Sequence, residues 1–412
     1  MLGNLLLLSI LTGVISGIFI VLYGLLTKLL THILFFGDPF ESITKLPIWY
    51  IYLVPIVSIF IVNYLISKDE AIKEYGVSEI AQAIESGKLK FGIKDLLIKI
   101  FASALSIASG FAIGNEGPSA AIGAMIAYKL HQLFNLPKKL IRVSLGIGAS
   151  SGIAAIFVSP ITGIMFAIEN ITYEFVKNYA GYLVAASIIA FSIAAQFLDS
   201  LTFGYSTGKS LNYHYLYATL FFIPIMTFFV YFYLALKEKV LLLLRAYILK
   251  HFLKYKLYIL PIISGSIIAT IMLIMPYAAF SGHEVVKMLI NHNFHLPLLL
   301  IFGVIFLRII ATAVSLYAHA VGGVFIALMS IGSLIGYGFG ELLSKYSSYS
   351  IEPFYFAAIG AAVFMGVLMR LPLTAIVLAL EITYDYNIII PTGLSVVIVT
   401  FLSTIFFDVK KL

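Results

Sequence analysis

Cysteine is absent from this chain of 412 residues, which excludes disulfides and thiolate metal sites. Charge is scarce: Asp, Glu, Lys and Arg make up 11% of the residues, against roughly 25% in an average soluble domain. No lysine or arginine precedes the first apolar run, residues 2–26, and that run exceeds the length of a signal-peptide core, so it reads as a retained first helix. Histidines number only eight. His292 and His295 fall in a polar loop, where exposure to water is a simpler reading than metal binding. His283-Glu284 lacks the second histidine of a zinc-protease motif. No metal ion or cofactor is called for. The net charge of +7 is spread over loops, which suits orientation in a membrane better than a nucleic-acid partner.

What the chain has in abundance is apolar sequence, at 61% of its residues. Apolar segments run over 2–32, 47–66, 97–113, 118–134, 140–157, 160–175, 179–198, 213–236, 256–278, 297–318, 324–343, 354–370, 372–384 and 388–407. Runs near 20 residues are too many for a water-soluble core, and the fold class expected is an all-α polytopic membrane protein with the lipid bilayer as its surroundings. Basic residues cluster at Lys88, Lys90, Lys94 and Lys99, at Lys138, Lys139 and Arg142, between 237 and 256, and at Lys410 and Lys411. The positive-inside rule puts all four clusters, and with them both termini, on the cytoplasmic side. The sequence stops soon after its last apolar run, so no appended cytoplasmic domain is expected.

Several apolar segments are short for a crossing and are separated by one glycine, proline or polar turn, as at 114–118, 159–160 and 370–372. Broken helices persist at membrane depth only where protein or a cavity satisfies the freed backbone groups. Residues 114–118 read Gly-Asn-Glu-Gly-Pro, and Glu116 is the only fully charged side chain between Ile100 and Tyr128. A charge at that depth costs about 3 kcal/mol or more, so an acid there is kept for a task. Gly114 and Gly117 permit a sharp turn, and Pro118 suits the first position of a helix running to about Leu130. A helix N-terminus in the membrane is an anion site. An acid ahead of it can occupy that site when ionised and leave when protonated.

The chain also repeats itself. Ile147-Gly148-Ala149 recurs as Ile359-Gly360-Ala361, and 159–164 as 371–376, with Ala167 and Glu169 recurring as Ala379 and Glu381, all at an offset of 212 positions. Upstream, Gly114 and Ile122-Gly123 recur as Gly323 and Ile331-Gly332 at an offset of 209, which pairs Glu116 with Phe325. Two halves built alike follow, 1–205 and 206–412, and such repeats place a substrate site near the midplane at discontinuous helix starts.

These motifs resemble the CLC family of anion channels and proton-coupled anion antiporters. Tyr75-Gly76-Val77-Ser78-Glu79 is similar to its first anion-binding loop, Gly114-Asn115-Glu116-Gly117-Pro118 to its gating-glutamate loop, and Gly322-Gly323-Val324-Phe325 to its third loop. Gly152 to Phe157 running on to Glu169, and Pro372 to Thr383, resemble its helices after those loops. The resemblance implies a CLC-like fold of two inverted repeats and a homodimer with one pore per subunit. Without further sequence, no cytoplasmic CBS domains are expected. It implies Glu116 as gate and proton carrier, and Tyr75, Gly76, Gly114, Asn115, Gly117, Gly323, Val324, Phe325 and Ile326 around the anion. The partners implied are protons and a small halide, and the location is a bacterial inner membrane.

Departures from the common chloride-type pattern bear on the anion. Tyr75 stands where the first loop usually offers a serine, Asn115 where an arginine precedes the acid, and Ala327 where the third loop has proline. Asn170 stands where many antiporters carry an inner proton-relay glutamate, and the usual C-terminal tyrosine gives way to Phe406 or Phe407. The fluoride/proton antiporter branch shares the asparagine, a non-serine first loop and a third loop without proline, so fluoride is favoured over chloride. A passive channel is the reading that Asn170 would support. Glu169 and Glu381 are expected to close helix ends, and Phe325 to line the pore. Gly148-Ala149-Ser150-Ser151-Gly152 fits the serine-hydrolase pattern G-x-S-x-G and equally the close-packing pattern Gly-x-x-x-Gly. With no strand before it and no histidine nearby, packing is the reading and no enzyme is expected. Asn170-Ile171-Thr172 fits a glycosylation pattern but abuts an apolar helix and is set aside.

Overall fold

A chain segment in hydrocarbon must satisfy its own backbone, and here the apolar runs do so as α-helices. The computed structural model describes residues 2–68, 92–172, 176–199, 213–252, 256–290, 297–346 and 352–407, and among them there is no β-strand. Tyr75 and Gly76 lie outside the described residues. Seven helices among the described residues are long and apolar enough to cross a bilayer, and four shorter apolar helices accompany them. The helices divide into two units, Met1–Leu201 with His319–Gly323, and Thr202–Ala318 with Val324–Leu412.

The first unit contains α1 (Leu2–Phe35), α2 (Pro39–Ser42), α3 (Ile48–Lys68), α4 (Ile93–Ala108), α5 (Glu116–Leu133), α6 (Ile141–Phe157), α7 (Pro160–Ala167) and α8 (Val176–Ala194). Its centre is α6, buried along nearly its whole length. Gly148 and Gly152 of α6 meet backbone carbonyls of Gly123 and Ser119 on α5, so closely that any β-carbon would collide. Ser150 donates to Ile147 O at 2.9 Å within its own helix. The G-x-S-x-G pattern is therefore a helix-packing pattern, with its serine turned onto its own backbone.

The second unit contains α9 (Tyr213–Phe252), α10 (Lys256–Ile274), α11 (His283–Ile290), α12 (Leu298–Tyr317), α13 (Phe325–Tyr346), α14 (Pro353–Met369), α15 (Pro372–Thr383) and α16 (Ile389–Phe407). It repeats the construction of the first. The ends of α14 lie 212 positions after those of α6, and Gly360 abuts Gly332 as Gly148 abuts Gly123. Val158 and Arg370, again 212 apart, cap these two helices in the left-handed conformation, at φ 53° and 58°. In the core, Arg308 of α12 is wholly buried. It donates to the carbonyls of Tyr277, Ala279 and Phe280 at 3.1, 3.0 and 3.2 Å, and to Ser330 Oγ. Four neutral acceptors thus replace water around a full charge, and they tie the turn before α11 to α12 and α13.

Two local expectations change. The helix that follows Asn115 begins at Glu116, and Pro118 sits within its first turn. Proline lacks only an N–H that the first turn could not use, so it is tolerated there as well as at the first position. The left-handed turn lies at Gly110, φ 101°, whereas Gly114 and Gly117 are absent from the positive-φ residues. Phe406 is 65% exposed near the end of α16.

Candidate functional site

The approach to Glu116 is built from a loop that protein fully encloses. After α4 ends, Ser109 N donates to Leu105 O, Gly110 turns left-handed, and residues 109–114 are all buried. Irregular backbone at membrane depth needs such cover. Gly114 then pairs with Gly323 as an isolated antiparallel bridge, N to O at 2.6 Å one way and 2.8 Å the other. The second segment is held further by Ser106 Oγ, which accepts from Val321 N at 3.1 Å. Gly322 and Gly323 allow this approach because they lack side chains. A β-carbon on Gly322 would meet Ile113 Cδ1 at 2.5 Å, and one on Gly323 would meet Gly117 N at 2.8 Å.

At the end of this loop Asn115 is the N-cap of α5, without a side-chain capping bond, and Glu116 follows as its first residue at 1% exposure. The first turn of a helix presents N–H groups with no acceptor in the helix. Pro118 has none, and Ser119 N bonds Asn115 O at 2.9 Å, so Glu116 and Gly117 carry the donors that remain. Gly114 and Gly323 each give their N–H group to the other's carbonyl oxygen. The first unit thus brings together Gly114, Asn115, Glu116, Gly117 and Gly323. Val324, Phe325 and Ile326 belong to the second unit, where Phe325 opens α13 with its ring buried and Leu328 N bonds Val324 O at 2.9 Å. The chemical capacity of the first loop is clear: a carboxyl that can change charge, set at a helix start in a site without bulk water.

Glu169 lies half-buried in a π-turn, Ile168–Thr172, that continues α7, and Asn170 beside it is exposed. Insertions of this type recur at functional sites in helices. Glu381, its counterpart in the repeat, is buried near the end of α15. Sequence reasoning missed Ser106 and Arg308. Ser106 gave no signal, being one hydroxyl among many in an apolar run. Arg308 did, as a lone charge inside the segment 297–318, by the same logic that singled out Glu116.

A family model described as voltage gated chloride channel matches residues 55–404. The H(+)/Cl(-) exchange transporter ClcA of Vibrio campbellii is 26% identical over 333 residues, covering 79% of this chain and 70% of that protein. ClcA of Vibrio cholerae is 28% identical over 323 residues, covering 77% and 68%. Among solved structures, a slow cyanobacterial Cl-/H+ antiporter matches with a TM-score of 0.85 at 19% identity, over 98% of this chain and 95% of that one. A CLC-type fluoride/proton antiporter matches with a TM-score of 0.74 at 18% identity, over the same shares.

Proposed function

The chain belongs to the CLC family, the voltage gated chloride channels, and from that premise we propose that it exchanges a small halide for protons across the membrane. The observation that carries this reading is Glu116, buried at the start of α5 behind a loop clamped by the Gly114–Gly323 bridge. When ionised, the carboxylate holds the positive helix start against other anions. Protonation removes its charge and its hold, and a halide takes the position while the proton travels with the side chain. Asn115 and Gly117 of the first unit flank that position. The protein works as a homodimer in a bacterial inner membrane, with both termini in the cytoplasm.

For the halide, the residues and the relatives point different ways. Asn115 removes a fixed guanidinium from the gate, and Ala327 removes a loop proline, which favours fluoride. The curated relatives are H(+)/Cl(-) exchange transporters, which favours chloride. The substituted gate is local to the anion, and on that ground fluoride is the first reading. In proteoliposomes an imposed fluoride gradient should drive protons uphill. Chloride moving faster than fluoride would overturn the choice of halide and leave the exchange intact. Asn170 motivates a second reading, a passive anion channel without an inner proton path. Halide flux with no proton movement would establish that one.

A further inference from the structure

The fold leaves one hydroxyl beside the gate unexplained. Ser119 of α5 is wholly buried, and its Oγ makes no hydrogen bond. Buried hydroxyls in these helices commonly turn back onto the carbonyl one turn earlier, as Ser106 does to Ala102 at 2.8 Å, Ser315 to Ala311 at 2.7 Å and Thr312 to Arg308 at 2.9 Å. Ser119 does not. An unpaired buried hydroxyl is destabilising, and alanine would avoid the loss at nearly the same volume. Thr12, Ser16, Ser187, Thr392, Ser395 and Ser403 are also buried without a bond, so a reason for serine here has to come from its place.

Its position supplies one. Ser119 follows Glu116 by three residues on the same helix, so their β-carbons lie about 5–6 Å apart on one face. Helical side chains lean toward the N-terminus, which tilts the serine toward the acid. The repeat adds an independent comparison. At the offset of 209 positions, Glu116 becomes Phe325 and Ser119 becomes Leu328. The helix start without the acid is also without the hydroxyl.

We propose that Ser119 is a positioning residue for the gate, its Oγ accepting a hydrogen bond from the protonated Glu116 carboxyl after that group has left the anion position. The inference rests on the reading of Glu116 as gate. In this structure the two side chains are not hydrogen-bonded, so the pairing belongs to the other position of the carboxyl. The neutral acid is the form that suits the flank of the helix, because an ionised group there would lack both water and the helix-start donors. The elements packed against α5 are α1, α4 and α6, with the loop at 319–323. Their titratable groups are Tyr23, Lys28 and His32, then Lys94, Asp95 and Lys99, then Arg142 and His319; of these Tyr23 and Lys99 are buried. A test must therefore separate Glu116 from Tyr23 and Lys99.

Halide transport in proteoliposomes, measured against pH, does so. Ser119 favours the protonated carboxyl, so Ser119→Ala should move the half-maximal pH downward by about half a unit to one unit. Ser119→Thr, which keeps the hydroxyl, should stay at the wild-type midpoint. In the Glu116→Gln background, Ser119→Ala should change nothing in the pH profile, which assigns the effect to Glu116 and not to Tyr23 or Lys99. Thermal stability of Ser119→Ala should equal or exceed that of the wild type, since an unpaired buried group is removed. A Ser119→Ala midpoint that is unchanged or raised, with Glu116→Gln still abolishing proton movement, would overturn the inference. If Glu116→Gln itself kept proton movement, the gate reading would be the part at fault.

Discussion

Glu116 and Arg308 are both ionisable groups buried away from bulk water, and the protein holds them by different means. Arg308 is fixed by acceptors on three sides, carbonyls of Tyr277, Ala279 and Phe280 and the hydroxyl of Ser330, which itself bonds Ala327 O at 2.7 Å. Such a group holds structure in place. Arg308→Met would remove its bonds to the three carbonyls and to Ser330 and should lower stability by about 3 kcal/mol or more, read as thermal unfolding in detergent. Arg308→Lys keeps the charge but not the planar fork and should fall between the two. A methionine variant that melts with the wild type would contradict this role. Glu116 sits at a helix start, where its charge can be exchanged for that of an anion. Both were visible in the sequence as single charges in apolar runs, but only the structure shows Arg308 as an anchor, because the carbonyls that surround it have no signature in side-chain identity.

The elements were largely legible. The apolar segments 140–157, 297–318, 354–370 and 388–407 became α6, α12, α14 and α16 with ends shifted by a residue or so. Apolar length alone marks such helices, since nothing else satisfies a backbone in lipid. The extension of α9 to Phe252 was not legible, because it runs on through Lys237, Lys239 and Arg245, beyond the apolar stretch. The left-handed turn at Gly110 is not legible in the sequence, since glycine permits such a turn without requiring one. Glycines that serve contact can be tested against those that do not. Gly148→Ala and Gly360→Ala would each drive a methyl into the backbone of the facing helix, and each should destabilise by about 1–3 kcal/mol. Gly181 of α8 has nothing within 4 Å of its would-be β-carbon, so Gly181→Ala should be neutral or gain up to about 1 kcal/mol. Equal melting of all three variants would refute the packing account.

At the scale of the whole molecule, the duplication was readable because the offset of 212 holds for motifs and for both ends of α6 and α14, and the offset of 209 for motifs and for the starts of α5 and α13. The division of the chain was less so. Residues 319–323 join the first unit although they lie far along the second half, through the Gly114–Gly323 bridge and the Ser106–Val321 bond. Backbone pairing of this kind leaves no pattern in the sequence beyond two glycines. It matters for function because it sets the loop that leads to Glu116 against the segment that leads to α13. In the proposed exchange that acid changes charge at that place. The most direct measurement is proton movement driven by a halide gradient in proteoliposomes, compared between wild type and Glu116→Gln. The wild type should carry protons uphill and the glutamine variant should carry none, whatever happens to its halide flux. Undiminished proton movement in Glu116→Gln would contradict the assignment of Glu116 as the proton carrier.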